Sequence, residues 1–345
     1  MTPAAPPALT AATVHAAAAH ATAYPYKVWG FGEDIALRAL LELADALPEP
    51  SLVEFVAEVA RRGRRGAPLA PADHVAPGVV LLELHERLGE GAFLDDARAL
   101  GRLLTSFPVA DGVAVHRRDL EGWRDTVWVD CMALDAPFLV RLARATGEAD
   151  MTDHAADALL GYARVLQDAD TGLFVHGYDV GTHQASPVRW GRGNGWALHG
   201  LVDALEALPP DHAAVPEARD RLARLLAALR DRQHASGRWT TVLDDPTSPL
   251  EASTAAFFAS GALKARRLAL LPAPLAGSLE AMIDRAVAAV AEDVGADGGL
   301  VVSNATPVGT RATYVDRPSG VFPWGQGPLL LTYLETQRAA AGRSA

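Results

Sequence analysis

The residues of this chain best suited to chemistry are two aspartates, one histidine and a glycine-rich turn flanked by tryptophan and arginine. Asp130 closes a polar, aromatic stretch that holds Trp123, Arg124, Asp125 and Trp128, and an apolar segment with Met132, Leu134, Phe138 and Leu139 follows at once. A carboxylate in that position either caps a helix or works as a general acid/base. The two roles pull apart. A helix N-terminus favours the anion, whereas a general acid must hold its proton near neutral pH. Burial against Trp123 and Trp128, or a second carboxylate nearby, raises the pKa again. Asp73, in Pro71-Ala72-Asp73-His74-Val75-Ala76-Pro77-Gly78, is the second carboxylate by position, with helix capping as its simpler reading.

The turn Arg189-Trp190-Gly191-Arg192-Gly193-Asn194-Gly195-Trp196 has three alternating glycines, which let the backbone approach a neighbour closely. It is not a dinucleotide loop, because no apolar strand precedes it and Trp196 stands where the third glycine would be. Tryptophan rings stack on sugar faces, and a guanidinium forks onto a carboxylate. His176, after Leu173-Phe174-Val175, is expected to face the same mouth, although a lone histidine also fits a purely structural role. No HExxH, nucleophile elbow or phosphate loop is present, and one cysteine makes no thiolate cluster. No metal and no cofactor is expected.

The elements that must position these residues are helices. Period-two alternation is rare, and 3.6-residue periodicity runs through 9–22, 31–46, 50–63, 75–89, 91–105, 131–146, 151–167, 194–207, 216–233, 251–268, 275–294 and 325–341. The odd-numbered members are amphipathic; several even-numbered ones carry little charge at their starts, and Ala252 to Leu263 carries none. Helices apolar nearly all round belong inside, and helices polar on one face belong outside. An inner and an outer ring make an all-α fold, an (α/α)6 barrel of six helical hairpins, in one domain over 1–345 with flexible ends at 1–8 and 342–345. An open helical solenoid is the alternative, but no repeat of fixed period supports it. Aromatic and ionisable residues precede the inner helices: Trp29, Asp73-His74, Trp128 with Asp130, Trp190 with Arg192, Glu251 just inside its helix, and Trp324. In a barrel of alternating hairpins those ends meet at one mouth. The loops 106–130, 168–193 and 295–324 that feed it are long, as functional loops often are.

The chain has 345 residues, half of them hydrophobic, and a net charge of −11. That charge argues against nucleic acid or an anionic membrane as partner, yet leaves room for a small anionic substrate beside a few arginines. The single cysteine, Cys131, fits a reducing compartment. The start has no basic region before its small-residue run, and His15 and His20 interrupt that run, so it does not read as a signal peptide. A cytoplasmic monomer or homodimer is expected.

Together these motifs resemble glycoside hydrolase family 105, the unsaturated rhamnogalacturonyl hydrolases, and the related unsaturated glucuronyl hydrolases of family 88. The resemblance runs from about Tyr24 to Leu334. It rests on Trp29-Gly30, Asp73 to Gly78, Trp128-Val129-Asp130 with Pro137-Phe138-Leu139, Gly172 to Gly177, Trp190 to Trp196, Glu251-Ala252-Ser253 and Gly327-Pro328-Leu329-Leu330. It implies an (α/α)6 barrel without metal or organic cofactor. It further implies removal of a Δ4,5-unsaturated uronic acid from the non-reducing end of oligosaccharides left by polysaccharide lyases, by acid-catalysed hydration of a vinyl ether. By position, Asp130 matches the family's acid/base and Asp73 its second aspartate. His176, Trp190, Arg192 and Trp196 match the substrate pocket, to which Trp29, Trp128 and Trp324 are added as aromatic wall. Cys131, Ala133 and Asp135 depart from the usual segment after the acid. An ordinary inverting glycoside hydrolase, an epimerase-like enzyme and a non-catalytic carbohydrate-binding barrel are the competing readings. The epimerase would want a histidine pair, and two acids argue against mere binding.

Overall fold

How much apolar surface each helix must bury decides where it lies. The computed structural model describes residues 9–27, 32–63 and 68–344. Its first helices are α1 (Ala11–Ala23), α2 (Asp34–Ala46), α3 (Pro50–Gly63), α4 (Gly78–Leu88) and α5 (Gly91–Ser106). Next come α6 (Cys131–Thr146), α7 (Asp150–Leu166), α8 (Gly191–Ala207), α9 (Val215–Arg232) and α10 (Ala252–Arg267). The last are α11 (Ala276–Asp293), α12 (Arg311–Val315) and α13 (Pro323–Ser344). In α9 the buried Val215, Ala218, Leu222, Leu225, Leu226 and Leu229 recur at helical spacing, while Arg219, Asp220, Arg224 and Asp231 stay exposed. Such a helix belongs outside. By contrast α8 is buried without a break from Gly191 to Ala204, so it needs neighbours on all sides.

The inner ring is α2, α4, α6, α8, α10 and α13, each packed on the next, and α13 returns to α2. The expected (α/α)6 barrel is therefore present. Glycines set how closely the inner helices approach. A side chain on Gly200 of α8 would run into the backbone of Met132 on α6, and one on Gly327 of α13 would stand 2.7 Å from the Ala36 nitrogen of α2.

The helices pair in chain order around the ring. Each inner helix packs on the outer helix that follows it: α2 on α3, α4 on α5, α6 on α7, α8 on α9 and α10 on α11. The first helix, α1, packs on the last, α13. Two expectations need correction. Helix α8 begins at Gly191 rather than at 194, so the three glycines lie in its first turns and not in a turn before it. Helix α13 runs through Ser344. The 295–324 loop contains α12 and two strands. The expectation for residues 1–8 falls outside the described residues.

Short strands brace the loops: β1 (Val109–Ala110) with β2 (Val113–Ala114), β3 (Thr126–Trp128) with β4 (Gly177–Asp179) and β5 (Gln184–Ala185), and β6 (Val301–Ser303) with β7 (Ser319–Val321). Three glycine turns repeat around the outer ring. Gly172, Gly237 and Gly298 have φ of 73°, 82° and 82°, where a side chain is strained. Each turn leans on the next outer helix: Gly172 on Arg224 of α9, Gly237 on Arg285 of α11, Gly298 on Ala16 and Ala17 of α1. A glutamine amide locks each turn. Gln167 donates to the carbonyls of Gly172 and Arg221, Gln233 to those of Gly237 and Met282, and Gln326 to those of Gly298 and Ala17. Inside the barrel, away from the mouth, buried Asp203 accepts from Arg38 Nη2 at 2.7 Å and Lys264 Nζ at 2.6 Å, tying α2, α8 and α10 together. Burial alone would raise this carboxyl, but Arg38 and Lys264 hold it well below its usual range.

Gly237→Ala tests the turn repeat. The left-handed backbone and the blocking Arg285 carbonyl together should lower unfolding free energy by about 2 kcal/mol in urea titration, with substrate affinity unchanged, since the turn is not part of the mouth.

Candidate active site

The pocket at the mouth has a volume of about 430 Å³. Its wall is formed by Trp128, Asp130, His176, Trp190, Arg192, Trp196 and Trp324, joined by Arg117, Leu120 and Trp123 from the loop before β3 and roofed by residues 305–308. Seven of the nine residues expected at the site thus share one cavity. Among the described lining residues Asp130 is the one carboxylate.

Asp130 occupies the N-cap position of α6 with helical backbone angles, φ −57° and ψ −34°, and its side chain makes no capping hydrogen bond. Its carboxylate turns to the pocket instead, where one oxygen lies 3.4 Å from His176 Nε2. The pairing of β3 with β4 explains that proximity. Trp128 faces Gly177 across the antiparallel register, and the next step of the ladder is Val129 N–H donating to the His176 carbonyl at 3.0 Å. The strand that ends at the aspartate and the strand that begins after the histidine are partners.

Asn194, fully buried in the first turns of α8, fixes this ladder to the barrel. Its amide accepts from Phe174 N–H at 2.8 Å and donates to the Phe174 carbonyl at 2.8 Å and the Trp190 carbonyl at 2.9 Å. One side chain thereby satisfies three buried backbone groups. Gly193 and Gly195 flank it because larger residues would strike Val129 and Phe257 at 2.9 and 2.6 Å. The close approach expected from the glycines is present, directed at the protein's own helices.

Arg192 is buried and held at several points. Nη1 donates to Ser253 Oγ, Ser303 Oγ and the Ser303 carbonyl, and Nη2 donates to the Asn304 carbonyl at 2.8 Å. Its guanidinium carbon lies 4.6 Å from the Trp190 ring centre and 5.8 Å from that of Trp324. Burial lowers its pKa, against the pull of Glu251 and Asp130. Arg192 thus anchors the segment that continues into the pocket roof. Glu251 caps α10 through Thr254 N–H and accepts Ser303 N–H at 2.9 Å, so it works on the same segment from outside the cavity.

Behind Trp128 runs a stack of rings: His74 lies 6.3 Å from Trp128, His116 4.4 Å from His74, and Tyr162 6.4 Å from His116. Asp135, the extra acid after Asp130, points into this stack and not into the pocket. Its Oδ2 accepts from Tyr162 at 2.9 Å and lies 3.0 Å from His116 Nε2. Burial, with His116 and Arg117 nearby, pushes His74 well below the ordinary histidine pKa; burial, Asp135 and Asp130 push the Cys131 thiol well up. His74, His116 and Cys131 bring potential ligand atoms within 4.8 Å of one another. The two imidazole planes are 7° from parallel, however, so their in-plane lone pairs do not converge on one ion.

One expected site residue stands elsewhere. Asp73 lies in a 3-10 turn (Pro71–Val75), where its carboxylate accepts Ala70 N–H at 2.6 Å, and it does not line the pocket. Its neighbour His74 points inward in its place. Trp29 falls outside the described residues. The residue that motif reading missed is Tyr314 on α12, buried against His176, with its hydroxyl 2.8 Å from His176 Nδ1. Its signal was weak: an aromatic residue in a stretch taken for loop.

Known proteins resemble this chain along most of its length. The family model for Glycosyl Hydrolase Family 88 matches residues 9–340. The unsaturated rhamnogalacturonyl hydrolase YesR of Bacillus subtilis (strain 168) is 30% identical over 277 residues, 78% of this chain and 77% of its own length. A crystal structure of a possible GH105 member from Salmonella enterica superposes with a TM-score of 0.84 at 24% identity, covering 95% of this chain and 93% of the other. The unsaturated glucuronyl hydrolase of Bacillus sp. GL1 does so with a TM-score of 0.72 at 15% identity, covering 90% and 87%.

Two substitutions test the arrangement. Asn194→Ala strands the Phe174 N–H and carbonyl, while the Trp190 carbonyl keeps the backbone N–H of residue 194, and should destabilise the fold by about 3 kcal/mol by denaturant titration. Asp73→Asn should cost about 1 kcal/mol of stability through its turn and leave turnover within a few-fold; a collapse of turnover without loss of stability would put Asp73 back in the chemistry.

Proposed function

The chain belongs to glycosyl hydrolase family 88, and on that premise we propose that it releases a Δ4,5-unsaturated uronic acid from the non-reducing end of lyase-generated oligosaccharides. The observation that carries this reading is Asp130: it stands where a cap would stand, does not cap, and presents the one carboxylate of the described lining to an aromatic cavity. A vinyl ether needs one group that first gives and then takes a proton. A conventional inverting hydrolase needs two carboxyl groups across the scissile bond, and the described lining supplies one.

In the proposed reaction protonated Asp130 delivers its proton to C4. Positive charge develops at C5 and is shared by the ring oxygen. Water adds at C5 while the Asp130 carboxylate takes up the proton that the water gives off. The resulting hemiketal opens to a C5 ketone, leaving C1 as a hemiacetal that expels the aglycone. One water is consumed and the acid is restored. Trp128, Trp190, Trp196 and Trp324 offer faces for the sugar ring. Arg192 and Arg117 supply the positive charge for the uronate. Leu120, Trp123 and Val308 give the aglycone an apolar wall, which suits the methyl group of a 6-deoxyhexose such as rhamnose better than a sulfated amino sugar. Among the described residues no helix is long and apolar enough to cross a membrane; a cytoplasmic monomer or homodimer acting on imported fragments completes the proposal.

The test is loss of the ultraviolet absorbance of the conjugated uronate when the protein meets an unsaturated uronyl-rhamnose disaccharide. Asp130→Asn should reduce kcat by about 10³-fold with the melting curve intact. Persistence of the absorbance with every Δ4,5-uronyl substrate would sink the proposal.

A further inference from the structure

His176 touches the acid, and one hydroxyl governs how it does so. Tyr314 is the buried residue of α12, a five-residue helix on the segment between β6 and β7. Its ring centre lies 5.6 Å from that of His176 and 6.0 Å from that of Trp190. Among the described residues its hydroxyl has two hydrogen-bond partners: Gly309 N–H at 3.3 Å and His176 Nδ1 at 2.8 Å. The amide can only donate, so the phenol proton has Nδ1 as its acceptor. An imidazole that accepts at Nδ1 carries its hydrogen on Nε2. That nitrogen is the one 3.4 Å from Asp130 Oδ2. Burial and the charge of Asp130 keep the phenol protonated, so the donor persists across the working pH range.

We propose that Tyr314 is a positioning residue: it fixes His176 as the Nε2–H tautomer, which donates to one oxygen of Asp130 and leaves the other to carry the catalytic proton toward the sugar. A carboxylic acid has one carbonyl oxygen and one hydroxyl oxygen. With an Nε2–H facing Oδ2 across 3.4 Å, the proton belongs on Oδ1. The opposite tautomer would leave a lone pair facing Oδ2 and draw the proton to the wrong oxygen. Gly309 and Tyr314 also lie just beyond the roof residues Pro307 and Val308. The same hydroxyl therefore ties the placement of the roof to the orientation of the acid.

This inference rests on the functional reading above, and its test has an arm that does not. In wild-type protein labelled with ¹⁵N-histidine, the His176 resonances should show Nε2 protonated and Nδ1 bare; Tyr314→Phe should redistribute them. Observation of the Nδ1–H form in the wild type would overturn the proposal whatever the substrate. In turnover, Tyr314→Phe keeps the ring's packing and should reduce kcat by about 10-fold or more, the usual scale for a partner that orients a site histidine, with KM within a few-fold. In a His176→Ala background the same change should cost less than about twofold, because residues acting through one another are not additive. An unchanged kcat in Tyr314→Phe, or full multiplicative losses in the double variant, would refute it. Failure of the wild type on every unsaturated uronyl substrate would instead strike the functional reading, with the tautomer still read by resonance.

Discussion

The amide of Asn194 is the constraint on which the pocket depends. From within a helix it completes both backbone groups of Phe174, as a neighbouring strand would, and takes the Trp190 carbonyl as well. Everything that faces the cavity from this side is counted from that point. His176 lies two residues beyond Phe174, and Trp190 and Arg192 lie within one turn of Asn194. The β3–β4 ladder then carries the position across to Asp130. Glutamine is one methylene too long for this arrangement, and aspartate has no hydrogens for the two carbonyls. A buried network of this kind is strong when complete and costly when broken.

Much of this was legible in the chain, and the gaps have physical causes. The two helix rings could be read because burial on all sides excludes charge, as from Ala252 to Leu263, whereas an outer helix must show charge on one face. Which helices pair was also written in the loops. The links 47–49, 89–90 and 147–149 are short, so each inner helix must turn back as the next outer one, and long links such as 107–130 can only cross the mouth. Asp73 and His74 show a limit of motif reading. In a 3-10 turn successive residues are about 120° apart, so Asp73 and His74 point different ways and the buried one is the histidine. Tyr314 was hidden because five residues are too few for any periodicity. Whether Asp130 capped its helix could not be decided from its type, since an aspartate suits both roles; backbone angles and an unused capping bond decide it.

The local field at the mouth runs against the charge of the whole molecule. The net charge is −11, yet the described lining holds one carboxylate against two guanidinium groups, Arg192 and the Asp119-paired Arg117, together with the N-terminal ends of α6, α8 and α13. Helix N-termini bear partial positive charge, and aromatic walls weaken the screening that water would give. An anionic sugar approaching an acidic protein thus meets an attractive region where the chemistry is. At the other end of the barrel Arg38, Lys264, Arg141 and Arg267 pair with Asp203, Glu206 and Glu335, so charge there is consumed internally.

The docking of α1 on α13 bears on how the barrel comes into being. Gln326 reaches the Ala17 carbonyl across 309 positions of sequence, and Gly298 leans on the same turn of α1. Every other outer helix finds its inner partner next door. During synthesis α1 is made long before its seat on α13, and its apolar face must wait in solvent or against a temporary partner. Local hairpins form quickly and such distant closures slowly. The ring behaves as a clasp: five hairpins assemble in passing, and a single late event turns an open arc into a mouth with a defined pocket.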